Sequence, residues 1–123
     1  MTVSCATMNL ATSSEVIGES VVVALNGDVD MATIPSLQDA LNKAIARHPR
    51  LGVVVDLDGV TALDDVGLGV LLGAAGSARR IGSDLAVVCN SDRLRERLDR
   101  TGFSRAIEVR TRVRGEVDGV NPG

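Results

Sequence analysis

Apolar positions along this chain switch between a period of two and a period of three to four, and the switches divide it into elements. Residues 20–25 ("SVVVAL") are β-branched and lie between Gly18 and "NGD", which predicts a strand. A weaker strand is expected just before it, over Leu10–Ile17. Ile34, Leu37, Leu41, Ala44 and Ile45 then recur at three and four, one face of a helix, with Pro35 suited to its first turn and Pro49 to its stop. "LGVVVDL", residues 51–57, is a continuous apolar run of strand length; burial on both faces explains it and implies a central strand in a sheet covered by helices.

Residues 66–81 have the length of a helix and end in Arg79 and Arg80, favourable at a negative helix terminus, before Gly82 as a stop. "DLAVVC", residues 84–89, predicts the next strand. Ser91 or Asp92 caps a helix over "SDRLRERLDRTGF", with Leu94 and Leu98 facing inward and Gly102 closing it. Its arginines, Arg93, Arg95, Arg97 and Arg100, alternate with Asp92, Glu96 and Asp99, the pattern of a solvated mixed-charge face. "AIEV" predicts a final strand, and residues 110–123 form a polar tail expected to be flexible. The order β-β-α-β-α-β-α-β describes an α/β sheet entered through a hairpin, in one domain over residues 1–109.

Composition narrows what such a domain does. A net charge of −3 disfavours nucleic acid, whose binding rests on neutralised phosphates, and with Phe103 as the sole aromatic residue there is no stacking platform. Cys5 and Cys89 lie far apart, read as a surface thiol and a core thiol, and His48 adds no zinc-type cluster. No basic leader or membrane-length apolar run is visible, so a reducing cytoplasm is the expected compartment and no membrane partner is implied. The residues point to no cofactor, no metal and no catalytic group.

The candidate chemistry centres on "VTALDDVGLGVLLGAAG", where Asp64 and Asp65 interrupt an apolar, glycine-rich segment. "GLGVLLG" is one residue too long for a dinucleotide fingerprint, and a strand ending near Leu57 would leave it about ten residues from the tight turn that such a site needs. Its glycines are expected to let the helix lie close against the sheet, at some cost in helix propensity. A phosphoacceptor aspartate with clustered carboxylates would need a basic neighbour, whereas the lone lysine, Lys43, falls in the first helix, and Asp56 and Asp64 miss the strand ends. Acid/base hydrolysis by the pair lacks a nucleophile and an oxyanion donor. One aspartate is accounted for as a helix cap. The second is not.

"LNGDVDMATIPSLQDALNKA", "VVVDLDGVTALDDVGLGVLLGAAGSARRIGSDLAVV" and "RLRERLDRTGF" together resemble a STAS domain of the anti-sigma-factor antagonist family, over residues 21–109. The resemblance implies a mixed four- to five-stranded sheet with helices packed on it. It also implies a non-enzymatic binding module that captures an anti-sigma factor of the ATP-binding kinase type and so frees a sigma factor. In that family the strand-to-helix loop reads Asp-Ser-Ser-Gly or Asp-Ser-Thr-Gly followed by Leu-Gly, and the first hydroxyl residue is phosphorylated by the partner, which then lets go. Asp64 matches the family aspartate, Gly67, Leu68 and Gly69 match its Gly-Leu-Gly, and Val66 takes the second hydroxyl position. "NGDVD" matches the family's Gly-Glu-Leu-Asp turn, which places Asp28 and Asp30 on the same surface. Weak self-association is a further partner expectation.

The departure is at Asp65, which occupies the phosphoacceptor position. A carboxylate there takes no phosphoryl group from a Ser/Thr kinase, and its single charge imitates a phosphoserine of about −1.5 to −2 only in part. Three readings stay open at this level. The chain is a constitutive binder; or Asp65 mimics the released state; or the scaffold serves as a small-nucleotide sensor or as a subunit of another signalling or transport assembly.

Overall fold

The computed structural model of the chain describes residues 2–6 and 10–111. Within them the elements run β1 (Thr2–Ala6), β2 (Leu10–Ile17), β3 (Ser20–Val29), α1 (Ile34–Arg47), β4 (Gly52–Leu63), α2 (Asp65–Arg80), β5 (Leu85–Val88), α3 (Asp92–Arg100), α4 (Phe103–Ala106) and β6 (Glu108–Arg110). The strands lie side by side in chain order in one six-stranded sheet. β1, β2 and β3 pair antiparallel, and β3 to β6 pair parallel. The sheet is mixed, as expected, and has one strand more than expected: "TVSCA" carries no apolar run of its own and joins the edge by pairing with β2, Cys5 opposite Thr12. Ala106 belongs to α4 rather than to the last strand, and the expected tail lies outside the described residues beyond Thr111.

The helices all bury their apolar stripes on one face of the sheet. Leu37 and Leu41 of α1, Leu68 and Leu71 of α2, Leu94 and Leu98 of α3 and Phe103 of α4 join Val21, Val23, Val53, Val55 and Val87 in a single core. Each fully buried side chain of this size contributes about 1.5–3 kcal/mol, and this core therefore dominates stability. On the opposite face Val22, Val54 and Val88, one from each of three neighbouring strands, form a small second cluster with Ile17. The continuous apolar run of β4 thus reflects burial on both faces, and among the described residues the helices cover only the first.

β3 and β4 continue well past the ends that apolar runs suggest, because their pairing is broken and resumed. The register shifts between Ala24 and Asn26 and again between Gly27 and Asp28, and ends with Asp28 beside Ala62 and Val29 beside Leu63. Gly59 permits the first shift: a Cβ there would run into the Asn26 side chain and come within 2.7 Å of the Leu25 carbonyl oxygen. The consequence is a correction. β4 ends at Leu63, not Leu57, so Asp64 does sit at a strand end and α2 follows immediately. Distance from the strand therefore no longer argues against a phosphate-binding turn; the glycine spacing still does.

Candidate functional site

The parallel strands β3 and β4 deliver two strand-to-helix junctions to the same edge, the C-terminal edge where open α/β sheets place their sites. In the first, Asp30 turns the chain into α1. Its Oδ1 accepts hydrogen bonds from the backbone N–H groups of Ala32 (3.0 Å) and Thr33 (3.2 Å). The buried Thr33 hydroxyl accepts from the Asp30 N–H (3.0 Å) and donates to the Asp28 carbonyl (2.9 Å). Asp28 accepts the Thr61 hydroxyl of β4 on Oδ1 at 2.5 Å, tying the two strands at their ends. Both carboxylates of this junction are therefore engaged within the chain.

The second junction is stitched to the first through its backbone. The Asp64 N–H donates to the Val29 carbonyl (2.9 Å), and the Asp64 carbonyl accepts from Gly67 (2.9 Å) and Leu68 (3.3 Å) to begin α2. Asp64 holds the N-cap position with extended φ/ψ, yet its side chain makes no cap bond. The capping role expected of it is thus carried by position and charge alone, and its carboxylate is exposed. Gly67 is required by packing: a Cβ there would strike Val29 Cγ1 and lie 3.1 Å from Leu63 Cδ1.

The other glycines of α2 behave differently from expectation. A Cβ on Gly69, Gly73 or Gly76 would meet nothing within 4 Å, so these three do not hold the helix against the sheet. They leave the outer face of α2 bare between the half-exposed Val66 and Leu72. Shallow grooves run along both sides. One, about 340 Å³, is lined by Asp65, Leu68, Gly69, Leu72 and residues 101–103 and 106. The other, about 420 Å³, lies between α2 and α1 against Gln38, Leu41 and Asn42. Met31, strongly exposed, stands at the neighbouring junction.

Asp65 opens the first turn of α2 and forms an ion pair with Arg97 of α3, Nη2 to Oδ1 at 2.6 Å. One turn earlier on α3, Arg93 donates to the Thr61 carbonyl (3.2 Å), and Arg95 donates to the Cys89 carbonyl (3.1 Å). Three of the four arginines read as a solvated face therefore reach back to the sheet edge or to α2. The sequence does carry a signal for this: Arg93 and Arg97 are spaced i, i+4 and share one side of the helix.

Of the candidate residues, Asp28, Asp30, Asp64, Asp65, Val66, Gly67, Leu68 and Gly69 are brought to one edge, with Gly67 and Leu68 buried beneath the others. Thr61, Arg93 and Arg97 are the additions. Cys89 is fully buried, and burial raises its thiol pKa, the Ser91 backbone lowering it only in part. It is a core thiol, as expected; the side chain of Cys5 lies outside the described residues. No described helix is long and apolar enough to cross a membrane.

Comparison with known proteins points the same way. The family model described as "STAS domain" matches residues 10–116. The anti-sigma-B factor antagonist of Listeria monocytogenes is 37% identical over 97 residues, covering 77% of this chain and 82% of that protein. The crystal structure of an anti-sigma factor antagonist from Mycobacterium paratuberculosis superposes with a TM-score of 0.75 at 26% identity, covering 85% of this chain and 87% of that one. The anti-sigma factor antagonist SpoIIAA in its unphosphorylated form shares the fold, with a TM-score of 0.69 at 16% identity over 89% of this chain and 95% of that one.

Proposed function

This chain belongs to the STAS domain family, and on that premise we propose that it is an anti-sigma-factor antagonist, a binding module that sequesters an anti-sigma factor and so releases a sigma factor. The observation that carries the reading is the outer face of α2. A bare helical surface, flanked by exposed Val66 and Leu72 and headed by Asp64 and Asp65, has no use inside the fold and offers a partner close approach. Met31 on the adjoining junction extends that surface. The partner is of the ATP-binding kinase type, and its phosphoryl transfer finds no hydroxyl at position 65.

The test uses the purified chain and each ATP-binding anti-sigma factor encoded in the genome that carries it. Isothermal titration is expected to give saturable binding to one of them, and that anti-sigma factor should release its sigma factor as the chain is added. Intact mass after incubation with ATP is expected to show no phosphate gain. Absence of binding across the set at 10 µM would overturn the function, and a phosphate on Thr61 or any other hydroxyl would overturn the loss of phosphorylation control.

A further inference from the structure

Asp65 does not present its charge alone. Its carboxylate is 84% exposed, while the guanidinium it meets belongs to an Arg97 side chain that is only 28% exposed. Arg97 is held in place by its helix: the flanking Leu94 and Leu98 are buried in the core. Arg97 thus projects from an anchored helix and is the less exposed member of the pair. A second positive influence reaches the same oxygen atoms, because Asp65 lies in the first turn of α2, at the positive end of the helix dipole.

We infer that Arg97 is the positioning residue of the switch position: it neutralises Asp65 within the chain, so that an anti-sigma factor meets this loop as it would meet an unmodified one. The inference rests on the proposed function and decides between its two forms, a constitutive binder and a mimic of the released state. Asp65 and Arg97 cancel. A phosphoserine at about −1.5 to −2 would leave net negative charge even beside the same arginine. Asp64 adds no distinction, since its carboxylate belongs to the loop in either state. The exposed pair adds little to fold stability; its effect lies in the charge shown to a docking surface, where unmatched like charges are costly.

A charge cycle on the intact chain tests this, with affinity read by titration against the anti-sigma factor that binds it. Asp65→Asn is expected to change affinity less than threefold. Arg97→Gln should weaken it about tenfold by unmasking Asp65, Arg97→Lys should stay near the parent, and Asp65→Asn with Arg97→Gln should recover to within threefold. That rescue separates neutralisation from a direct or structural role of Arg97. If the double variant is as weak as Arg97→Gln, or if Asp65→Asn alone strengthens capture tenfold, the inference is overturned while the function stands. If neither the parent nor any variant binds an anti-sigma factor, the function falls and takes the inference with it. Without any partner, the Arg97 Nε–H resonance should move on Asp65→Asn substitution; an unmoved resonance would mean that the pair does not exist in solution.

Discussion

The two strand-to-helix junctions at the C-terminal edge of the sheet are built from similar residues and do different work. Each carries two aspartates, and their backbones are hydrogen-bonded to one another through Asp64 and Val29. At the β3–α1 junction both carboxylates are absorbed, Asp30 by the backbone of its own turn and Asp28 by Thr61. At the β4–α2 junction neither carboxylate satisfies the backbone; Asp64 stays exposed, and Asp65 reaches a different helix. A carboxylate that caps its own turn is spent on folding, whereas one left outside remains available to a partner. Residue type alone does not tell the two apart.

The sharpest way to break this contrast is at Gly67, where the exposed junction depends on close packing beneath it. Gly67→Ala forces a Cβ into Val29 and should cost about 2 kcal/mol, within the range for overpacked sites, read as a lower urea midpoint at unchanged slope. Next is Asp30→Ala, which removes the acceptor of two backbone N–H groups and should cost about 1 kcal/mol. Gly73→Ala should move the other way, raising stability by up to about 1 kcal/mol, because a helical glycine is replaced where nothing obstructs a side chain. Under the proposed function the same change should weaken anti-sigma-factor capture; a stabilised variant with unaltered capture would remove the outer face of α2 from the interface. Asp64→Ala should shift stability by less than about 0.5 kcal/mol, since no cap bond is lost.

The smallest effect is one of pH, away from both junctions. Burial pushes the Asp84 carboxyl upward, but the Leu85 N–H and the Arg79 guanidinium outweigh it, and the pKa is lowered from 3.8. A lowered folded-state value means that stability from this group is present above about pH 3.8 and lost as pH falls through the folded value. The stability difference between the parent and Asp84→Asn should therefore be small at pH 7, because the pair is exposed, and should vanish on acidification below that value.

Much of the architecture was legible because apolar periodicity is a local property. β2 falls on its expected residues, and α1, α2 and α3 fall within a residue or so of theirs, with Gly82 and Gly102 as stops at φ +83 and +82. The strand ends of β3 and β4 were not legible, since the residues that extend them are polar or glycine and are held by pairing across a bulge at Gly59. β1 was missed for a related reason: an edge strand needs a partner more than it needs an apolar pattern.

The candidate site divides along the same line. The amino-acid order by itself determined that two adjacent carboxylates, Asp64 and Asp65, stand at the head of a helix; this follows from residue identity and local spacing. Only the tertiary structure decided which carboxylates are spent on the fold, which glycines lie beneath the helix and which lie on its surface, and that Arg97, 32 residues away, closes on Asp65. Side-chain charges interact through space and over a few ångströms. Their pairing is set by how α2 and α3 pack on the sheet, a relation that no local pattern records.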